Sequence, residues 1–140
     1  MYGKQGNKFG CEKRQGKRVE LKIIEHNFTI CKVKDYLEVN LDREYCFTGK
    51  TDEENSLVCR TEEVPGNVIE RDDGWKAFRI QGILDFSLIG ILAKISALLA
   101  ANEIGIFVIS TFHTNYVFVK SENYAKALNV LEEAGYKVLA

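Results

Sequence analysis

Two polar segments in the second half of the chain have the residue types and spacing needed to bind a small ligand. The first is Asp85-Phe86-Ser87, followed by Gly90 at the start of a long apolar run. Free backbone N–H groups at a helix N-terminus, together with the helix dipole, attract an anion such as a carboxylate. Because Gly90 has no Cβ, a ligand could approach the backbone closely there. Ordinary helix capping by Asp85 or Ser87, with a packing glycine, explains the same residues without a ligand.

The second segment is Ser110-Thr111-Phe112, followed by Asn115. These residues end one β-rich run and begin the next, so a hairpin would bring them near the first segment. Their hydroxyls and side-chain amide could hydrogen-bond the ammonium and carboxylate groups of a ligand. A polar hairpin tip without a ligand is the alternative, since threonine and asparagine favour turns on their own account.

The sequence contains no motif that indicates catalysis or metal binding. The four cysteines, at positions 11, 31, 46 and 59, form no C-x-x-C pair, and neither His26 nor His113 has a partner ligand at i+4. We therefore interpret the cysteines as buried or spare thiols and expect no metal and no cofactor.

Three common catalytic or nucleotide-binding motifs, G-x-S-x-G, G-x-x-x-x-G-K-[ST] and G-x-G-x-x-G, are also absent. A hydrolase of the acylphosphatase type would need a loop arginine, whereas the nearest arginine, Arg79, falls in a predicted strand. We expect no catalytic residues and no enzymatic activity.

The charge distribution argues against nucleic acid and membrane partners. The net charge is −1, and no apolar run reaches the roughly 20 residues that a membrane span needs. Residues 1–18 carry six basic residues against one acidic residue, and therefore a charge of +5, and are predicted to form a flexible basic leader. No signal peptide is recognisable, so we expect a cytoplasmic protein.

Periodicity predicts an α+β fold with a βαββαβ order in the C-terminal half. Tyr124, Ala127, Leu128, Leu131 and Ala134 form one apolar helical stripe, and Ser121 and Gly135 are the expected N-cap and C-terminal stop. This is the ferredoxin-like order. The predicted strands are 75–80, 106–112, 116–120 and 136–139, and the predicted helices are 88–101 and 122–134.

The N-terminal half predicts a smaller lobe made mainly of strands. Strands are expected at 19–24 and 29–33, with a turn at His26-Asn27, and a hairpin pairs 44–50 with 56–61. Residues 34–40 are either a short helical turn or a loop. The Pro65-Gly66 and Asp72-Asp73-Gly74 turns mark a linker. The expected domains are a lobe at 19–64, a linker at 65–74 and a second lobe at 75–140.

Helix 88–101 is apolar on nearly all sides, and Lys94 and Ser96 are among its few interruptions. Such a helix is normally buried on two faces. One face should cover its own sheet, and the other requires either the first lobe or a second chain. We therefore expect a homodimer.

Several short segments of the C-terminal half resemble an ACT domain, and more closely the branch that contains CASTOR-type arginine sensors and small bacterial tandem-ACT proteins. The resemblance spans residues 75–138 and is weaker over 19–64, which would be a degenerate ACT-like lobe. The matching segments are Leu84-Asp85-Phe86-Ser87, Gly90-Ile91-Leu92-Ala93, Ile109-Ser110-Thr111, Thr114-Asn115-Tyr116, Val119-Lys120 and Ala134-Gly135-Tyr136.

The resemblance implies a regulatory protein that binds a free amino acid at a lobe or subunit interface. It adds Ser56 and Val58 of the first lobe to the expected ligand contacts. In that branch an acidic residue usually occupies the position of Asn115, and an amide there supplies no charge to pair with a ligand's amino group. This substitution keeps an alternative open, an ACT scaffold without a ligand that mediates dimerisation or partner binding.

Overall fold

The computed structural model describes residues 19–81 and 88–140 of the 140-residue chain. These residues form an α+β fold with a mainly antiparallel sheet, two α-helices and a short 3-10 helix at Thr61–Glu63. The strands are β1 (Glu20–Val33), β2 (Phe47–Lys50), β3 (Asn55–Arg60), β4 (Val68–Gln81), β5 (Ile106–Ser110), β6 (Asn115–Lys120) and β7 (Lys137–Leu139), and the helices are α1 (Leu88–Ala101) and α2 (Ser121–Glu133).

The chain forms two compact units, and β1 and β4 contribute residues to both. Unit 1 contains the described parts of Met1–Ile24 and Ala77–Ala140, and unit 2 contains Glu25–Lys76. The strands hydrogen-bond in the order β2-β3-β1-β4-β6-β5, and β7 pairs in parallel with β1, with Glu20 opposite Lys137. The boundaries expected from the sequence had placed residues 19–24 with the N-terminal lobe instead.

Strand β1 is one continuous strand, so the turn predicted at His26-Asn27 is wrong. Phe28 and Thr29 are buried directly after it, and the ring of His26 packs edge-on against Phe28 at a centroid distance of 6.4 Å. Asn27 is exposed on the strand. A polar dipeptide can therefore lie within a strand without reversing the chain. Here one side chain is exposed to solvent and the other packs against an aromatic ring.

Strand β4 likewise replaces most of the predicted linker, because it begins at Val68 and continues to Gln81. The turn expected at Asp72-Asp73-Gly74 does not form. Gly74 adopts a positive φ of 86° within the strand, a conformation that glycine tolerates without strain. The carboxylate of Asp73 accepts hydrogen bonds from the hydroxyl of Thr29 and the guanidinium of Arg71, so contacts across the sheet hold this segment extended.

The hairpin predicted in the N-terminal half is confirmed. β2 and β3 pair antiparallel, with Phe47 opposite Val58 and Lys50 opposite Asn55. The first strand is shorter than predicted because Tyr45 adopts a positive φ of 59°, which is incompatible with an extended strand. Residues 34–46 contain turns and bends without a helix. Of the two structures expected for residues 34–40, a short helical turn or a loop, the loop is therefore the one that forms.

Unit 1 packs both helices against its strands. Ile91, Ile95 and Leu99 form the buried stripe of α1, and Ala127 and Leu131 form that of α2. The predicted limits of α1 agree with the structure, and those of α2 differ by one residue. The outward face of α1 is exposed at Ala93, Ala97, Ala100 and Ala101. Among residues 19–81 and 88–140, neither α-helix has the length and apolar character needed to cross a membrane.

The two helices end in similar ways but on different residue types. Gly135 takes a φ of 105° after α2, and the N–H of Tyr136 donates to Leu131 O at 3.1 Å, as the predicted glycine stop requires. After α1 the residue with positive φ is Glu103, at 61°. Ser121 is the first helical residue of α2 and not its N-cap, which is Lys120.

A buried cluster in unit 2 contains thiols. It consists of Cys31, Val33, Leu57 and Cys59, with Cys46 packed at its edge. All three described cysteines are free, and burial together with a hydrogen bond to Cys31 raises the pKa of Cys59. The prediction of buried or spare thiols is confirmed for these residues.

An ion pair next to this core predicts a specific pH dependence of stability. Arg60 hydrogen-bonds Glu63, and Arg43 Nε lies 3.5 Å from Glu63 Oε2. The Arg60 hydrogen bond, with the charges of both arginines, lowers the pKa of Glu63 although burial opposes the shift. Because the pKa of Glu63 is lower in the folded state than in the unfolded state, its ionised form stabilises the fold at pH values above the unfolded-state pKa. This stabilisation is lost as the pH falls through the folded-state pKa.

We therefore expect Glu63→Gln to lower the free energy of unfolding by about 1–2 kcal/mol at pH 7, with a much smaller loss near pH 3. Urea unfolding at a series of pH values would measure this difference. Glu62→Gln, at an adjacent exposed position, is the control and should follow the parent protein. If Glu63→Gln lowered the free energy of unfolding by the same amount at both pH values, the stabilising role of this carboxylate would be contradicted.

Candidate functional site

A cavity of about 370 Å³ lies in unit 1 at the end of β4 and beside the tip of the β5–β6 hairpin. We call it the strand-end cavity. Its lining combines one cation, a primary amide, hydroxyl groups, an imidazole and one aliphatic side chain. The lining residues are Arg79, Ile80, Gln81, Thr111, His113, Thr114 and Tyr116.

The hairpin tip is held in place by its two threonines. The backbone N–H of Thr111 donates to Thr114 O at 2.8 Å, and the Thr111 hydroxyl donates to the same oxygen at 3.2 Å. The hydroxyl of Thr114 donates to Ile80 O on β4. These bonds fix the tip to the neighbouring strand, so the wall of the strand-end cavity is preformed.

Arg79 forms the charged wall of the strand-end cavity. Its Nε donates to Gln81 Oε1 at 3.3 Å and its Nη1 to the hydroxyl of Tyr116 at 3.4 Å. The guanidinium carbon also lies 5.9 Å from the centroid of the Tyr116 ring, within the range of a cation–π contact. Strand alternation explains this placement, because Phe78 and Ile80 point into the core while Arg79 and Gln81 share the opposite face.

The described lining groups are suited to binding a polar molecule, and the two threonines among them are not arranged as nucleophiles. Both threonine hydroxyls donate to backbone carbonyls. The ring of His113 packs edge-on against Phe112, with centroids 5.0 Å apart. A nucleophile must instead donate to a nearby base.

Thr111 is the predicted site residue that lines the strand-end cavity. Phe112 is 95% exposed at the hairpin tip. Gly90 is exposed on α1, and a Cβ added there would meet no described atom within 4 Å. Asp85, Phe86 and Ser87 lie outside the described residues.

Ser110 and Asn115, which were also predicted to contact the ligand, instead form a hydrogen bond with each other. The hydroxyl of Ser110 donates to Asn115 Oδ1, and these residues are opposite partners in the β5–β6 ladder. Asn115 is only 7% exposed, and neither residue lines the strand-end cavity. The amide oxygen of Asn115 therefore has a structural role in closing the hairpin.

The last two predicted contacts, Ser56 and Val58, lie on β3 in unit 2. The carbonyl of Ser56 accepts a hydrogen bond from the Tyr36 hydroxyl at 2.8 Å, and Val58 is 3% exposed. Unit 2 has a cavity of its own, of about 220 Å³, lined by charges of both signs that include Arg43 and Glu63.

Of the lining residues, sequence reasoning predicted Thr111 and missed the others, including Arg79, Gln81 and Tyr116. A signal for the first two was present, since a charged residue and an amide alternate with the apolar Phe78 and Ile80 at the end of the strand. The contribution of Tyr116 depends on β4 and β6 being neighbours, which the sequence does not reveal.

Comparisons with known proteins agree with this description. Residues 70–133 match the family model of the ACT domain. The crystal structure of protein Atu0741 from Agrobacterium tumefaciens is 32% identical in sequence and superposes with a TM-score of 0.75, covering 87% of this chain and 92% of the other. No curated protein sequence matches this chain.

Two more distant structures are similar in fold alone. Protein VC0802 from Vibrio cholerae is 18% identical, with a TM-score of 0.70 over 89% of this chain and 96% of its own. The ligand-free regulatory subunit of aspartate kinase from Thermus thermophilus is 13% identical, with a TM-score of 0.56 over 81% of this chain and 96% of its own.

Proposed function

Residues 70–133 match the family model of the ACT domain, and from this premise we propose that the chain is a non-enzymatic regulatory protein that binds a free amino acid in the strand-end cavity. ACT domains are regulatory domains that bind small molecules, and one structure of similar fold is a regulatory subunit of aspartate kinase. The ligand binds without any bond being made or broken.

The observation that supports this proposal is the strand-end cavity itself. Its volume of about 370 Å³ is at the lower end of the range of small-molecule sites, and its polar groups converge from three strand ends. The amino group of the ligand lies near Thr111. The predicted α-carboxylate site over the backbone N–H groups of Asp85–Gly90 includes residues 85–87, which lie outside the described residues.

We also propose how the protein transmits ligand binding. It acts in the cytoplasm as a homodimer, and the amino acid changes its association. The exposed small side chains on the outward face of α1, including Ala93 and Ala97, support a close helix contact with a second chain. Light scattering over a range of protein concentrations, with and without ligand, would test the dimer. A monomer under every condition would overturn this part of the proposal.

We also propose a specific architecture for each of the two units. Unit 1 is a ferredoxin-like βαββαβ lobe of the CASTOR-like branch, with β1 added between β7 and β4. Unit 2 is a degenerate second ACT-like lobe. The order of elements from β4 to β7 supports the first statement, and the mainly β character of unit 2 supports the second.

A thermal-shift screen against the twenty amino acids at millimolar concentration would test the function. A ligand at about 100 times its Kd stabilises a protein by about 2.7 kcal/mol, which raises the melting temperature by several degrees. We expect a selective shift that Thr111→Val reduces. Thr48→Val, an exposed threonine on β2, is the matched control and should leave the shift unchanged.

A second function, a scaffold without a ligand, is favoured by one observation. Asn115, the predicted partner of the ligand's amino group, is buried and bound to Ser110. A flat amino-acid panel, for protein shown by mass spectrometry to carry no co-purified ligand, would overturn the binding proposal. The scaffold function would then stand, and its partners would be sought directly.

A further inference from the structure

We propose that Cys46 and Cys59 of unit 2 form a disulfide on oxidation, which makes this thiol pair a site of reversible redox modification. The inference goes beyond the proposed function and does not depend on the strand-end cavity. Both cysteines are free thiols in this structure. The oxidant is a low-molecular-weight disulfide, which reacts with protein thiols by thiol–disulfide exchange.

The pairing of β2 with β3 brings the two cysteines together. Phe47 lies opposite Val58 in this ladder. Cys46 directly precedes Phe47 and Cys59 directly follows Val58, so the same register continued by one position places the cysteines opposite each other. Opposite residues of antiparallel strands have Cα atoms about 4.5–5.5 Å apart, and a disulfide needs a separation of about 4.4–6.8 Å. The spacing of the two main chains therefore suits a disulfide.

The side chains of the two cysteines also share one environment. Both line the cavity of about 220 Å³ in unit 2, and Cys46 packs against the buried cluster that contains Cys59. Cys46 is half-buried, whereas Cys59 is only 2% exposed. A reagent in solution therefore reacts first with Cys46, and Cys59 is the buried thiol that completes the disulfide.

Cys31 is the competing partner for Cys59. The thiol of Cys59 donates a hydrogen bond to Cys31, which raises the pKa of Cys59 and lowers that of Cys31. In the β1–β3 ladder Cys31 lies opposite Leu57, and Cys59 lies opposite Thr29, so these two cysteines are diagonal neighbours. Diagonal positions are about 7–8 Å apart, beyond the distance that a disulfide spans without backbone movement. Strand geometry therefore favours Cys46.

The reaction proceeds in two exchange steps. The thiolate of Cys46 attacks one sulfur of the reagent, which breaks the S–S bond of the reagent, releases one thiolate and leaves a mixed disulfide on Cys46. Cys59 then loses its proton and attacks the Cys46 sulfur, and the second reagent thiolate leaves. The two cysteines give up two electrons and two protons, and the reagent is reduced to two thiols.

The surroundings of Cys46 set the pH dependence of the first step. Burial, together with the negative charge of Glu63, raises the pKa of the Cys46 thiol. The charged residues that line the cavity with it are Glu38, Arg43, Glu62 and Glu63. Because only the thiolate reacts, the rate should rise by about tenfold per pH unit at pH values below this raised pKa.

Non-reducing peptide mapping of the full chain after incubation with oxidised glutathione would test the inference. Trypsin cleaves after lysine and arginine, so each of the four cysteines falls on its own peptide. These peptides are 9–13, 23–32, 44–50 and 51–60. We expect a cross-link between 44–50 and 51–60 as the predominant product, and its complete loss after a reducing agent is added.

Two variants and a denatured sample are the controls. Cys46→Ser should abolish the cross-link. Cys11→Ser removes the cysteine that lies outside the described residues and should leave the cross-link unchanged. In concentrated urea the preference for one pair should be lost, because the fold brings Cys46 and Cys59 together.

The peptide map of the parent protein decides the question by itself, even if Cys46→Ser does not fold. A predominant cross-link between 23–32 and 51–60, or one that includes 9–13, would overturn the inference. A glutathione adduct that persists on Cys46, or no reaction of the native protein, would overturn it as well. The same preference for one pair in urea would show that the fold is not its cause, which is also incompatible with the proposal.

Discussion

Replacing Phe78 by alanine is expected to lower the free energy of unfolding by about 3–5 kcal/mol. Phe78 lies on β4 with 0% exposure, in the core cluster of unit 1 together with Ile80, Ile95 and Leu99. Truncating the ring removes its burial from water and leaves a cavity that close-packed neighbours fill only in part. Because a protein of this size is stable by only about 5–15 kcal/mol, the loss would be a large share of the total.

Phe112→Ala is the matched control, since Phe112 belongs to the same unit and is 95% exposed. It should change stability by less than about 0.5 kcal/mol. Urea unfolding followed by circular dichroism would measure both variants. A loss below about 1 kcal/mol for Phe78→Ala would contradict the packing of β4 against α1, and with it the orientation of Arg79 on the opposite face of the strand.

The second large effect is expected in unit 2, where Leu57→Ala should cost about 2–5 kcal/mol. Leu57 is 0% exposed and packs with Cys31, Val33 and Cys59 in a buried cluster. Truncating it removes apolar burial and leaves a cavity in that cluster. We expect amide hydrogen exchange in β2 and β3 to accelerate strongly, because these strands depend on this cluster.

Leu37→Ala is the corresponding control, because Leu37 lies in the same unit with 89% exposure. Its hydrogen-exchange pattern should match that of the parent protein. If Leu57→Ala left exchange in β2 and β3 unchanged, the cluster would not be the stabilising core of unit 2. Measuring the exchange residue by residue also shows whether unit 1 responds to a change made in unit 2.

The helices were predictable because their signals are local. The stripe from Tyr124 to Leu131 fixes both the helical state and the buried face of α2, and Gly135 fixes its end. Polar residues in long strands were harder to interpret. Asn27 and Asp73 are of residue types that favour turns. The ring contact between His26 and Tyr45 and the hydrogen bond between Thr29 and Asp73 nevertheless keep these segments extended. Both contacts join residues far apart in the chain, and no local sequence pattern predicts them.

The site was only partly predictable for a related reason. Thr111 and Asn115 are both polar and lie four positions apart, yet one lines the strand-end cavity and the other is buried against Ser110. Asn115 pairs with Ser110 in the β5–β6 ladder, whereas Thr111 lies in the turn, and this register is not visible in the sequence. Arg79 was overlooked because a charged residue in a strand is usually solvated, and its neighbour Tyr116 comes from a distant part of the sequence.

The parallel pairing of β7 with β1 has a consequence for how the protein is made. The contact between Lys22 and Ala140 joins residues 118 positions apart, whereas unit 2 is one uninterrupted segment of the chain. Long-range pairing slows folding, and ribosomes release the N-terminal part first. Unit 2 can therefore fold while synthesis continues. The part of β1 that belongs to unit 1 cannot pair with β7 until β7 has been synthesised. During that interval its edge is open to pairing with other chains.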